Sequence, residues 1–238
     1  MPRLTAVLAA LAALCTQAHA TTINAGAAVN GTAGPAGLSG TFYDVAWGRT
    51  GYDIADTLTS MRSATPLGTF TATQVYYSGG DSSTVTSFLG SDGGSYRGRT
   101  AAAYDLSDGI FNLMGYLYVS AAGTNTFQVY HDDSAQLTIG GQTIISANCC
   151  GLDQASVTFQ APGYYALNLV YANTYASGSG GATLALGENG ALIPTSNLVQ
   201  SVRPVSSVPE PASAAVFGIG LAGMGTLLRR RRSSRAAS

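Results

Sequence analysis

The chain has 238 residues, enough for one domain with appendages, and only 10% of them are charged. It contains no lysine, and between residues 21 and 208 five arginines face eleven acids. An acidic surface without basic patches argues against nucleic acid and anionic membranes as partners and is compatible with divalent cations and neutral polymers.

The first twenty residues, MPRLTAVLAALAALCTQAHA, place Arg3 before a Leu/Ala run and end on Ala18-His19-Ala20. This is the pattern of a secretory signal cut after Ala20, with an apolar run too short for a membrane span. Export is therefore expected. Residues 21–37 are mostly Ala, Gly, Asn and Thr with little to bury, and read as a flexible leader. LSGTFYDVAW, residues 38–47, is the first strand. Residues 52–62 place Ile54, Leu58 and Met61 on one stripe of a short helix, with Asp53 near its start. Residues 70–77 alternate as a strand, and residues 84–98 read as a short apolar segment followed by a glycine-rich loop.

The second half is denser in strands: residues 110–120, 127–130, 136–146 as a hairpin around Gly140-Gly141, 156–160, 164–173 and 182–187. In YYALNLVYAN, Tyr165, Leu167, Leu169 and Tyr171 share one face by strict alternation. Short strands at regular spacing with one helix predict an all-β antiparallel sandwich over residues 38–187. Residues 188–208 read as a linker. Residues 212–228 are uncharged and mostly apolar, about 26 Å long as a helix and barely enough to span a bilayer. Arg229, Arg230, Arg231 and Arg232 follow and set the C-terminus on the cytoplasmic side. Gly218, Gly220 and Gly223 match G-x-G-x-x-G, but no strand precedes them and no βαβ unit follows, so a dinucleotide site is rejected.

Chemistry concentrates at His131, Asp132, Asp133 and Ser134, read as a turn between two strands. On a regular strand neighbouring carboxylates point to opposite faces; a kinked or cis peptide lets both reach one cation. The residues leave two readings open, a calcium site built of hard oxygen ligands or a solvated turn. Cys149 and Cys150 are adjacent and compatible with a vicinal bridge, free thiols or bridges between chains. His131 is the only histidine left after signal removal and is read as a turn residue. No nucleophile elbow, phosphate loop or H-E-x-x-H helix is present, and an adjacent acid pair cannot easily flank a glycosidic bond, so the protein is expected not to be an enzyme.

Two resemblances extend this reading. Val208-Pro209-Glu210-Pro211, the apolar segment and the terminal arginines resemble the PEP-CTERM sorting signal, here spanning residues 209–235. That resemblance implies a Gram-negative bacterium making extracellular polysaccharide, transient anchoring in its inner membrane, and processing near Pro209, Glu210 and Pro211 by an exosortase. The product would then reside on the cell surface or outside the cell. The body is similar to the protective-antigen domain family, β-sandwiches of toxins, glycosidases and adhesins. The match rests on GLSGTFYD, on GYLYVSAAGTNTFQVYHDDSAQLTIGGQTI and on APGYYALNLVYANTYASGSGGATLAL. In carbohydrate-binding members an Asp-Asp pair joined by a cis peptide and a loop asparagine hold calcium, which coordinates sugar hydroxyls. The matching positions are Asp132, Asp133 and Asn173; Ser134 departs from the glycine common at its place. By family topology Cys149, Cys150 and the 177–181 loop with Ser179 lie nearby, with His131 as a further candidate ligand contact. The resemblance implies a surface or matrix protein binding glycan or exopolysaccharide through calcium; the alternative is a structural envelope or biofilm-matrix protein using the sandwich as a scaffold.

Overall fold

A computed structural model describes residues 21–45, 53–80, 82–99, 106, 108–173 and 181–205. In chain order it contains β1 (Thr21–Ile23), β2 (Ala28–Val29), β3 (Gly31–Ala33), β4 (Leu38–Asp44), helix α1 (Ile54–Ser63), β5 (Gly68–Ala72), β6 (Tyr76–Gly80), helix α2 (Val85–Phe88) and β7 (Arg97–Gly98). There follow β8 (Gly109–Val119), β9 (Gly123–Asp132), β10 (Ser134–Ile139), β11 (Gln142–Ala147), β12 (Gly151–Phe159), β13 (Gly163–Asn173), β14 (Gly181–Glu188), β15 (Ala191–Leu192), β16 (Leu198–Val199) and β17 (Val202–Pro204).

The strands form a β-sandwich. One sheet runs β1-β12-β9-β14-β15, with β6 also on β14; the other runs β11-β10-β13-β8-β4-β5-β7, with β16 on β8 and β2 on β13, and β3 and β17 form a separate ribbon. Alternation along each strand sends one face inward. From the first sheet Phe127, Val129, Val157, Phe159, Leu184 and Leu186 are buried, and from the second Leu113, Leu117, Leu137, Tyr165, Leu169 and Tyr171 meet them. The β10–β11 hairpin turns at Gly140 and Gly141, both in the left-handed region at φ 57° and 79°.

Helix α1 starts where Asp53 caps it, its side chain accepting from the Ala55 amide at 2.7 Å. Its Leu58 and Met61 pack on Ile110, Val170 and Ala172, covering the outer face of the second sheet at one end. This explains why β13 buries both faces there.

Several expectations need correction. Residues 21–37 are not a flexible leader: β1 pairs with β12, in parallel rather than antiparallel fashion, and Ile23 is buried. β2 pairs with β13. The stretch is weakly apolar overall, but one isoleucine and backbone hydrogen bonding dock it. Residues 188–208 are not simply a linker, since β15 pairs with β14, β16 with β8, and Ile193, Leu198 and Val199 are buried. The expected strand over residues 70–77 is two strands in different sheets. The break is at Thr73, whose amide and hydroxyl both donate to the buried Asp92 carboxylate. Over residues 84–98 the expected short apolar segment is α2, and the expected glycine-rich loop contains a 3-10 run at Gly90–Ser95. The chain divides into two compact units, Met1–Arg203 and Pro204–Ser238, and the sandwich is the first.

Candidate metal and ligand site

The acidic pair is not the tip of a hairpin. β9 ends at Asp132 in one sheet and β10 begins at Ser134 in the other, so Asp132-Asp133 is the corner where the chain crosses between sheets. The peptide joining the two aspartates is cis. Ligand atoms of Asp132, Asp133, Cys149 and Cys150 lie within 4.8 Å of one another, and the two carboxylates among them could hold a metal ion. The two carboxylates thus converge.

The corner is fixed from behind. The Asp133 amide donates to the Ala172 carbonyl at 3.2 Å, and the Tyr171 hydroxyl donates to the Asp132 carbonyl. Ser134 pairs with Ala172 in the β10–β13 register, and Asn173 follows Ala172 as the last residue of β13. Asn173 is buried at the end of β13 and donates from its amide nitrogen to the Leu106 carbonyl at 3.0 Å. Ser134 is buried against Thr57 of α1, with 3.2 Å between the hydroxyls. On the β14 side Gly181 lies beside Asp132: a Cβ there would stand 3.6 Å from its Oδ2.

His131 is not a turn residue. It is fully buried on the inner face of β9, with Nδ1 on the Asp133 carbonyl and Nε2 2.7 Å from Asp153 Oδ2. Both ring nitrogens are thus engaged, one by a backbone carbonyl and one by a carboxylate. It shapes the corner from inside and has no path to a ligand above it.

Cys149 and Cys150 are joined to each other as a vicinal disulfide, which resolves the alternatives the sequence left open. Cys150 Sγ lies 3.0 Å from Asp132 Oδ1, and Cys149 Sγ lies 3.7 Å from Asp133 Oδ1. A disulfide sulfur has no proton to donate and is not a thiolate, so these are packing contacts rather than hydrogen bonds or metal bonds. The knuckle walls one side of the acidic corner. Its loop is anchored to α1, where the Ile54 amide donates to Asn148 Oδ1 at 3.1 Å.

The structure therefore brings Asp132, Asp133, Asn173, Cys149 and Cys150 together at one end of the sandwich and sets His131 beneath them. Ala18, Ala20, Ser179, Pro209, Glu210, Pro211, Arg229, Arg230, Arg231 and Arg232 lie outside the described residues, as does the apolar segment at 212–228. Among the described residues no helix is long and apolar enough to cross a membrane. Sequence reasoning missed Tyr171 and Asp153 as supports of the corner. Tyr171 was visible as an inward residue, but the target of its hydroxyl depends on how the two sheets stack.

Comparison with known proteins defines two parts of the chain. Residues 207–232 match the PEP-CTERM protein-sorting motif, which marks an exported protein sorted through an exosortase, with membrane-anchored transit before processing. The sandwich is similar to the PA14 domain of the antifreeze protein MpAFP, at 24% identity and TM-score 0.59, over 73% of this chain and 95% of that one. It is also similar to the PA14 sugar-binding domain from an RTX adhesin, at 24% identity and TM-score 0.56, over 70% and 99%. The A domain of epithelial adhesin 6 from Candida glabrata, solved in complex with Galβ1-3GlcNAc, aligns at 16% identity and TM-score 0.52, over 75% and 92%. No curated protein sequence matches this chain. The body thus has the protective-antigen, or PA14, type of β-sandwich, followed by a PEP-CTERM sorting motif.

Proposed function

We propose that this protein binds glycan through a calcium ion held at the Asp132-Asp133 corner, after export and exosortase-type processing to the cell surface or beyond. The observation that carries the reading is the convergence of the Asp132 and Asp133 carboxylates at the inter-sheet corner, with Asn173 next in the chain to Ala172, whose carbonyl takes the Asp133 amide. The donor set fits calcium: carboxylate and amide oxygens are hard ligands, and the neighbouring sulfurs are tied up in a disulfide. Calcium takes about six to eight oxygens, so Asp132, Asp133 and Asn173 leave positions open. The bound ion would supply Lewis-acid coordination of sugar hydroxyls. The chain itself would fix the backbone that carries the two carboxylates, through Tyr171 on the Asp132 carbonyl, His131 on the Asp133 carbonyl and the Asp133 amide on Ala172, and present the disulfide and Gly181 as the uncharged walls.

The sugar-bound adhesin and the PA14 sugar-binding domain among the similar structures support the glycan, and the sorting motif supports an exopolysaccharide as its source. The reading assigns the protein no catalysis. Its buried histidine is committed to structural acceptors on both nitrogens. Retention on immobilised polysaccharide with calcium, and release by chelator, tests the proposal. Retention that ignores chelator would remove the ion from the mechanism, and no retention would return the sandwich to a structural envelope role.

A further inference from the structure

The outer face of the first sheet carries a row of exposed apolar side chains that begins beside the acidic corner. By strand register Leu152 of β12, Tyr130 of β9, Ala185 of β14 and Tyr76 of β6 stand side by side across four strands. Their sequence neighbours His131, Leu184 and Tyr77 are the buried, inward ones. Leu152 is 58% exposed, Tyr130 47% and Tyr76 65%. Asp132 lies two residues beyond Tyr130 on the same face of β9, roughly 7 Å along the strand. In the row below, Gly187 and Gly190 lack side chains and leave a cleft of about 200 Å³ lined by Gln128, Tyr130, Leu152 and Leu192. None of these residues is charged.

We propose that this face extends the ligand site, so that the ligand is a chain of neutral pyranoses rather than one terminal sugar. The inference rests on the glycan-binding reading above. A pyranose ring has hydroxyl edges that coordinate a cation and a C–H face that packs on an aromatic ring. A chain of such rings matches a cation corner that passes within one residue's reach into an uncharged aromatic face. Tyr130 and Tyr76 are separated by two strand spacings, roughly 10 Å, about the length of a disaccharide. Gln128 and Gln154, paired with each other two residues along β9 and β12, offer amides for hydroxyls, although the Gln128 oxygen already accepts from the Gly190 amide at 3.0 Å. One sugar would sit at Asp132-Asp133 and the following ones on Tyr130 and Tyr76.

The test uses the full exported chain, with Tyr76→Ala/Tyr130→Ala compared with wild type. The probes are dextran, mannan and galactan, each against its own monosaccharide, in calcium and in chelator. The inference expects at least one polysaccharide to bind wild type more tightly than its monosaccharide. The tyrosine variant should lose about tenfold or more of that polysaccharide affinity. Its monosaccharide affinity and thermal midpoint should stay unchanged. Equal losses for polymer and monomer, or no loss for the polymer, would overturn the extended site. If the polymer affinity survives the tyrosine changes but not chelator, the ion-dependent reading stands and this inference falls. If the tyrosine changes abolish binding that chelator leaves intact, the platform stands and the calcium reading falls. No binding by wild type removes both. Concentration-dependent dimerisation lost in the tyrosine variant, without polymer binding, would assign the face to a second copy instead.

Discussion

Asp92 is nearly buried and accepts from the Thr73 amide at 3.0 Å, the Thr73 hydroxyl at 2.5 Å and the Tyr77 hydroxyl at 2.7 Å. The bonds to this carboxylate are charge-assisted, and an amide in its place keeps only neutral bonds and must turn the Thr73 hydroxyl from donor to acceptor. Asp92→Asn is therefore expected to cost about 2–4 kcal/mol in urea unfolding, and Tyr77→Phe about 1–2 kcal/mol, because only one bond is lost. Burial, helped by the Asp92 contact, pushes the Tyr77 hydroxyl far above its usual value, so it remains a donor at every working pH. Glu188 behaves differently. Burial raises its carboxyl above the ordinary 4.5, against the hydrogen bond from Asn125 that lowers it. The folded state then binds this proton more tightly than the unfolded chain. Its contribution to stability is fully present below the unfolded value and is lost as pH rises through the raised one. Glu188→Gln keeps the acceptor for Asn125 and removes the titration. Its unfolding free energy should gain on wild type as pH rises through that window, by less than about 1 kcal/mol at pH 7, since the group is half solvated.

At the scale of elements, the β10–β11 turn separates two glycine requirements. Gly140 and Gly141 both have positive φ, but a Cβ on Gly140 would meet Ile23 Cγ2 at 2.7 Å, while nothing lies within 4 Å of one on Gly141. Gly141→Ala is expected to cost about 1–2 kcal/mol, the left-handed penalty alone, and Gly140→Ala measurably more in the same unfolding experiment. Ile23 links this turn to β1, and Ile23→Ala is expected to cost about 2–4 kcal/mol despite its place near the start of the described chain. The same elements show what sequence can and cannot reveal. Alternation placed Tyr165, Leu167, Leu169 and Tyr171 on the inner face, and the Gly-Gly pair announced a hairpin. The stripe Ile54, Leu58, Met61 found α1. β1 was missed because two threonines and an isoleucine carry no periodic signal and gain their place from β12, far along the chain. The corner at Asp132 was mistaken for a hairpin turn because local patterning cannot tell a crossing between sheets from a return within one. Its residues were legible; their supports, Tyr171 and Asp153, depend on that crossing.

At the scale of the molecule, the sandwich and the sorting motif divide the work. The motif at residues 207–232 marks an exported protein sorted through an exosortase, and the first unit carries the acidic corner, the disulfide wall and the exposed tyrosine row. The sulfur contacts place the disulfide beside the proposed ion site, and the uncharged outer face leads away from it. On the proposed reading, an uncharged face leading away from a bound cation suits a neutral polymer better than a charged one. The most direct test is calcium titration by calorimetry on residues 21–208, with Asp132→Asn/Asp133→Asn as the comparison and thermal unfolding recorded alongside. We predict binding at millimolar affinity or tighter and a rise in the wild-type thermal midpoint with saturating calcium, both lost in the variant. No heat of binding and no calcium-dependent rise in the midpoint would contradict the ion site and leave the corner as a structural turn between the sheets.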